Sequence, residues 1–328
     1  MKICIVGAGV IGLSTGLCIK NLLPAARLTI IADTFNPDTT SDVAGGVWEP
    51  HFVTYPDKQE LSKWQKTTFN YIFDLSVRPN AHEYGAFMCP SLILESDKVE
   101  KPDWSDIVVG FNILSKDEIK RRTGVEYETG WTFNTLVLEG SKYLPYLTNE
   151  LRKQGVNFEK RKLNSLEELT NYDVIVHCTG YGARKLVGDD NVVGYSGQVI
   201  KVDALHMKYF ITSPTAYVIP RSDGLIMGGT LIEGDESRIP DEQHTKMIYE
   251  DCCKLLPQLH GCKILKVLKG IRPYRKNGVR LEKEVKIIGS KKLNIVHNYG
   301  HGGNGVTLHW GCALRAASLV KEFQQENL

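Results

Sequence analysis

Apolar positions along the chain fall into short unbroken runs, and the first of these opens the sequence. Lys2-Ile3-Cys4-Ile5-Val6 is apolar and β-rich over too few residues for a helix, which predicts a strand buried on both faces. It leads straight into Gly7-Ala8-Gly9-Val10-Ile11-Gly12 and then into a segment predicting a helix through about Leu23. Leu28-Thr29-Ile30-Ile31-Ala32 predicts a second buried strand, ending at Asp33 and Thr34. A third is predicted in Tyr172-Asp173-Val174-Ile175-Val176-His177, closing on the small-residue turn Cys178-Thr179-Gly180. Near the end, Leu293–His297 predicts a fourth, followed by Gly300-His301-Gly302-Gly303-Asn304-Gly305-Val306 and a helical run from about Thr307. No stretch approaches the roughly 20 apolar residues of a membrane span.

The order strand, glycine loop, helix, strand, acid is that of a dinucleotide site. Gly7 permits the tight turn, Gly9 lets backbone approach a pyrophosphate, and Gly12 lets the helix pack closely on the strand. The helix N-terminus then offers free N–H groups and the positive end of its dipole to the phosphates. Asp33 follows at the spacing from which a carboxylate accepts hydrogen bonds from an adenosine ribose, roughly 20 residues on. Such a unit serves NAD and FAD alike. The second glycine loop, Gly300–Gly305 feeding a helix start, distinguishes them. Reduced flavin gathers negative charge near N1 and the C2 carbonyl, where a helix N-terminus stabilises it, whereas nicotinamide loses positive charge on reduction. FAD is therefore the expected cofactor.

Composition narrows the picture further. With 328 residues, 42% hydrophobic and 24% charged, the chain can form one large or two medium domains. A net charge of +2, from 40 basic against 38 acidic residues, lacks the basic excess of a nucleic-acid binder. The eight cysteines show no C-x-x-C or Cys/His ligand spacing, and only Cys252 and Cys253 are close together, so no metal centre is expected. Free thiols and a first strand interrupted at once by glycine predict an intracellular protein without a leader. No internal repeat or long linker appears, so any two domains share a tight interface.

Two segments carry a resemblance. Asp38-Thr39-Thr40-Ser41-Asp42-Val43-Ala44-Gly45-Gly46 and Tyr299-Gly300-His301-Gly302-Gly303 resemble the signatures of the D-amino acid oxidase family, which includes D-aspartate oxidase. Trp104–Phe111, Leu138-Glu139-Gly140, Tyr217–Pro220 with Gly228-Gly229-Thr230, and Gly270–Glu282 extend it over nearly the whole chain. The resemblance implies an α/β fold with a discontinuous Rossmann-type FAD-binding domain (1–55, 136–190 and 286–328) and a mixed-sheet α+β substrate domain (56–135 and 191–285). It implies non-covalent FAD, a small D-amino acid and O2 as partners, and hydride transfer from the alpha carbon to flavin N5. The products would be H2O2, a 2-oxo acid and ammonia, and a homodimer is admitted.

The resemblance also implies roles for residues. Arg280 grips the substrate carboxylate, Tyr217 shares it, and the Gly303 carbonyl accepts from the substrate amine. Thr39, Thr40 and Ser41 lie near the flavin and its phosphates, with Gly46, Val47 and Trp48 running along the ring. Leu163 meets the adenine, Cys178, Thr179 and Gly180 the adenosine side, and Gly302–Thr307 the flavin. No general base is implied. Leu231 and Thr212 stand where the D-aspartate branch carries arginines, which favours neutral over acidic side chains, with Arg221 as another route to a cation. Glu49, in place of a glutamine, also suits a basic side chain. The ending Glu326-Asn327-Leu328 keeps only the leucine of a Ser-Lys-Leu-like signal, so peroxisomal and cytoplasmic locations both stay open. The alternatives are a D-aspartate or D-glutamate oxidase, a glycine or N-methyl amino acid oxidase, an NAD-dependent dehydrogenase, and a non-catalytic flavin-binding protein.

Overall fold

The computed structural model describes residues 1–53 and 55–326, so Asn327 and Leu328 of the terminal tripeptide lie outside the described residues. The first buried run forms the strand Lys2–Val6, with parallel neighbours on both sides. Ile3 lies opposite Leu28 of Arg27–Ala32 and opposite Val174 of Val174–His177. The six-stranded sheet runs in the order Arg280–Ile288, Lys291–Tyr299, Val174–His177, Lys2–Val6, Arg27–Ala32, Asn157–Lys160. Only the Arg280–Ile288 edge strand is antiparallel.

The strand period of two explains how this sheet is covered on both faces. Ile3, Ile5, Ile30, Val174, Val176 and Val296 belong to the main core, which also takes in the helices Val10–Leu22, Gly140–Lys153 and Gly305–Gln325. Cys4, Val6, Ile31, Ile175 and Ile295 point the other way, onto Leu166 and Leu169 of a short 3-10 turn. Runs apolar at every position are what a doubly covered parallel sheet requires.

The second, nine-stranded sheet is mixed. Its path is Ile232–Glu233, Val192–Val202, Gly224–Gly228, Tyr217–Arg221, Phe210–Thr212, Ala86–Glu95, Thr129–Leu138, Val109–Ile113, with Ile264–Arg275 also paired to Val192–Val202. Its one parallel pairing sets Ile93 beside Thr212. The helix Lys58–Ser76 packs between the strand Ala86–Glu95 and the helix Gly305–Gln325, joining the two halves. A doubly covered parallel sheet beside a mixed one is the α/β architecture expected. Among the described residues no helix is long and apolar enough to cross a membrane.

Element ends differ slightly from expectation. The last helix starts at Gly305, two residues early, inside the glycine loop. The last strand spans Lys291–Tyr299 because its charged start forms a hairpin with Arg280–Ile288. At the junction between the halves, the backbone of Gly311 lies against the backbone of Trp64, and its N–H donates to Thr68 Oγ1 at 3.0 Å. A Cβ there would come within 2.6 Å of the Trp64 carbonyl oxygen. Gly→Ala in a free helix stabilises by about 1 kcal/mol. Gly311→Ala is instead expected to destabilise by about 1–3 kcal/mol through overpacking. A urea midpoint equal to or above wild type would show that the two helices separate freely.

Candidate active site

The strand Lys2–Val6 turns at Gly7, whose φ of +112° is open only to glycine and whose N–H donates to Ile31 O at 2.8 Å. A side chain at Gly7 would overlap the Cys178 carbonyl, and one at Gly12 would overlap the Gly7 carbonyl. The helix Val10–Leu22 therefore starts close against the ends of three parallel strands. It has no acidic residue in its first turn, and the Val10 N–H donates to Ser41 Oγ at 3.0 Å. This N-terminus opens into a cavity of about 1020 Å³.

At one end of the cavity lie Gly7, Ala8, Gly9, Val10 and Ile11, with Asp33 and Thr34 beyond the second strand. Leu163 lines the same end, which is reached by the pairing of Asn157–Lys160 with Arg27–Ala32. Cys178, Thr179 and Gly180 border it from the third strand. Burial pushes the Cys178 thiol up to about 12, so it remains a neutral lining group. Thr39, Thr40, Ser41, Gly46 and Val47 continue the wall, and Gly302, Gly303, Gly305 and Val306 close it at the second helix start. That helix, like the first, has no acidic residue in its first turn and no side-chain cap. His301 also lines the cavity; it is 2% exposed and its Nε2 has no hydrogen-bond partner among the described residues. Burial lowers its pKa to about 3, so the ring is neutral. Two uncapped helix starts, close backbone approach and an orphaned ring nitrogen fit a long dinucleotide with an electron-accepting ring.

The other end of the cavity rests on the mixed sheet. Ile93, Trp131, Thr212 and Tyr217 line it, and pairing of Ile93 with both Trp131 and Thr212, and of Thr212 with Tyr217, sets them on one face. Tyr217 fits because Gly228 and Gly229 leave room for its ring. Burial pushes the Tyr217 pKa up against the pull of Arg272, so it keeps its hydroxyl proton. Arg272 also lines the cavity, beside Gly197, and its Nη1 donates to Thr230 O at 3.1 Å. Among the described residues no carboxylate lies within ion-pair distance of Arg272. His51 sits against Gly303 and ion-pairs with Glu49 at 2.8 Å. Glu95, two residues after Ile93 on the same face, also lines this end.

Five residues expected in the site lie elsewhere. Arg280 is absent from the cavity lining: its Nε meets Glu282 at 2.6 Å, its Nη2 meets Glu284 at 3.0 Å, and its Nη1 meets the Tyr299 hydroxyl at 3.1 Å. It opens the edge strand of the first sheet, where these partners satisfy it, while Arg272 lines the cavity. Trp48 is fully buried, edge-on to Phe69, since strand alternation turns it away when Val47 faces in. Gly12 serves helix–strand packing. Asn304 is buried and spends its side chain on the His51 backbone, and Thr307 Oγ1 reaches the Glu49 carbonyl at 3.5 Å. Both anchor the segment that carries Glu49 and His51. Arg221 offers no free cation either, being 7% exposed, bonded to Gly45 O and paired with Glu139.

Sequence reasoning missed Arg272, His51 and Glu95. The available signal for Arg272 was glycine spacing: Gly270 and Arg272 share a strand face, opposite a strand that carries Gly197.

Residues 2–319 match the profile of a family described as DAO, FAD dependent oxidoreductase. The chain is 39% identical to a D-aspartate oxidase of Homo sapiens, over 98% of this chain and 95% of that one. It is 34% identical to a D-amino acid oxidase of Dugesia ryukyuensis, over 98% of each. Among solved structures, the glycine oxidase of Geobacillus kaustophilus superposes with a TM-score of 0.79 at 17% identity, covering 98% of this chain and 94% of that one, which is a likeness of fold.

Four histidines around these elements are buried as neutral rings. Burial lowers His301 to about 3 and His297 and His309 to about 4, and takes His177 well below its ordinary value of 6.5. Each pKa is depressed on folding, so below pH 6.5 the unfolded chain binds the extra proton. Their stabilising contribution is present above that pH and is lost as pH falls toward 4. The urea midpoint is expected to drop steeply from pH 6.5 to 4.5, with each histidine adding up to about 1.4 kcal/mol per pH unit. A flat midpoint across that window would mean that the native rings protonate freely.

Proposed function

The chain belongs to the DAO family of FAD dependent oxidoreductases, and on that premise we propose that it oxidises D-amino acids to imino acids. One observation carries the reading. An unpaired arginine, Arg272, lies beside a protonated tyrosine in a cavity that runs on to the dinucleotide end. A guanidinium lined with the cavity and lacking an anion is completed by a ligand carboxylate through parallel charge-assisted hydrogen bonds.

In this reading segments 1–55, 136–190 and 286–328 form the FAD-binding domain, and 56–135 with 191–285 form the substrate domain. Gly7–Ile11 and Thr39–Ser41 would hold the phosphates, Asp33 the ribose and Leu163 the adenine. Gly46, Val47 and Gly302–Val306 border the ring system. Arg272 and Tyr217 clamp the substrate carboxylate, and the Gly303 carbonyl accepts from its amine, so the alpha carbon is presented in one orientation. FAD held there would supply a hydride acceptor for the alpha carbon and re-oxidation by O2, with H2O2 as the product. The released imino acid hydrolyses to a 2-oxo acid and ammonia. No side chain is assigned as general base, because positioning alone suffices for direct hydride transfer.

Neutral side chains suit the cavity better than acidic ones. Apart from Arg272, the charged groups named at the substrate end are Glu49, His51 and Glu95, and Leu231 lies 52% exposed at its edge. Burial and the neighbouring Glu49 charge raise the Glu95 pKa, a setting hostile to a further carboxylate. A second reading, oxidation of D-aspartate or D-glutamate, is favoured by Arg238, which also lines the cavity. Its Nη1, however, donates to Asp38 O at 3.3 Å, next to Thr39 on the cofactor side.

With oxygen excluded, D-alanine or D-methionine is expected to bleach the visible flavin band, and the L-enantiomers and D-aspartate to leave it. Bleaching by D-aspartate alone would establish the second reading, and a band that no amino acid bleaches would sink both. Arg272→Gln is expected to lower kcat/KM by about 2–5 kcal/mol, roughly 30-fold to several thousand-fold. Arg272→Lys should recover part of that loss. An unchanged kcat/KM in Arg272→Gln would place the carboxylate elsewhere.

A further inference from the structure

Arg280, displaced from the substrate site, anchors a chain of buried polar groups that ends at the cofactor wall. Its guanidinium meets Glu284 Oε2 at 3.0 Å, and the same oxygen lies 2.7 Å from His297 Nε2. His297 Nδ1 is 3.0 Å from His177 Nδ1, and His177 Nε2 is 2.7 Å from Thr179 Oγ1. Both rings are fully buried, on adjacent parallel strands where His297 lies opposite His177. Thr179 lines the cavity.

Proton positions along this chain follow from donor and acceptor rules. Burial alone would raise the Glu284 pKa, but His297, Lys286 and Arg280 hold it below the ordinary value, so Glu284 is an anion and only accepts. His297 must then donate from Nε2. As a neutral ring it keeps a lone pair on Nδ1. The short Nδ1–Nδ1 contact requires one proton, so it sits on His177. His177, neutral too, has its lone pair on Nε2, and the Thr179 hydroxyl can satisfy it only by donating. The proton of that hydroxyl is thereby committed inward, and both remaining lone pairs are left to the cavity side.

We propose that Arg280, Glu284, His297 and His177 form a positioning relay that fixes the Thr179 hydroxyl as an acceptor for a ribose, ribitol or amine donor of the bound dinucleotide. An unanchored threonine hydroxyl rotates between donating and accepting; the relay removes that freedom before the cofactor arrives, which lowers the cost of binding. None of the four relay residues lines this cavity, and their effect passes through Thr179. The inference rests on FAD as cofactor and is independent of which amino acid is oxidised.

Histidine 15N shifts of the unaltered apoprotein read the tautomers directly. His177 is expected to carry its proton on Nδ1 and His297 on Nε2; the opposite tautomer at either ring overturns the relay. The FAD dissociation constant, followed by fluorescence quenching, supplies a second readout. Thr179→Val and His297→Phe are each expected to weaken FAD by roughly 3- to 10-fold, the range of one hydrogen bond. The double variant should be no weaker than the worse single variant, and Thr179→Ser should bind as wild type does. Losses that multiply in the double variant would mean that His297 acts on the fold generally, and would overturn the proposal. Neither readout involves an amino acid, so failure here and failure of the substrate reading are separable.

Discussion

The cofactor half of the molecule depends on one close approach of backbone. At Gly7 the chain leaves the central strand with φ of +112°, the Cys178 carbonyl sits where a side chain would be, and Gly12 rests on the Gly7 carbonyl. Three parallel strands thus end at one point, and the helix Val10–Leu22 begins there with no side-chain cap on its Gly9 N-cap. The orphan N–H groups and roughly half a positive charge of dipole are left for phosphate. The same contact places Cys178 and Thr179 at the cavity wall, so the relay behind Thr179 inherits its position from Gly7.

Away from the cavity, four buried or half-buried cations are satisfied within the protein. Arg221 has Glu139, Arg275 has Asp189 at 2.7 Å, Lys269 has Asp235 at 2.8 Å, and Arg280 has Glu282 and Glu284. These pairs tie strands together, and for the buried ones, Arg221 with Glu139 and Arg275 with Asp189, removing one partner would leave an uncompensated charge costing several kcal/mol. Arg272 stands apart because, among the described residues, no carboxylate pairs with its guanidinium, which meets the Thr230 carbonyl and the Tyr217 hydroxyl and lines the cavity. It is this guanidinium that the proposed reading completes with a ligand carboxylate.

The two halves communicate through the glycine loop and the segment after Val47. Asn304 and Thr307, on the last helix, hold the backbone of His51 and Glu49, while Gly303 packs against the His51 ring. The glycine loop and the segment carrying Glu49 and His51, both lining the cavity, are therefore tied together. Tight helix contact at Gly311 and Trp64 keeps the elements behind them in register.

How much was legible follows from the range of the interactions involved. The dinucleotide site is local: strand, glycine turn, helix and second strand are consecutive, so spacing and periodicity determined it, together with the doubly covered sheet. The cavity residues Gly7–Ile11, Asp33 and Thr39–Ser41 followed from the same proximity and the resemblance. The resemblance put the carboxylate grip at Arg280 and gave Arg272 no role, and nothing local corrects it, since both lie in polar, strand-like stretches of similar composition. Between Arg275 and Arg280 the chain passes from the mixed sheet to the edge of the parallel one. That change of sheet turns one guanidinium toward the cavity and the other toward two carboxylates and a tyrosine. Only tertiary structure decides such a matter, because a charge's role is set by what faces it across space, and those partners are distant in sequence.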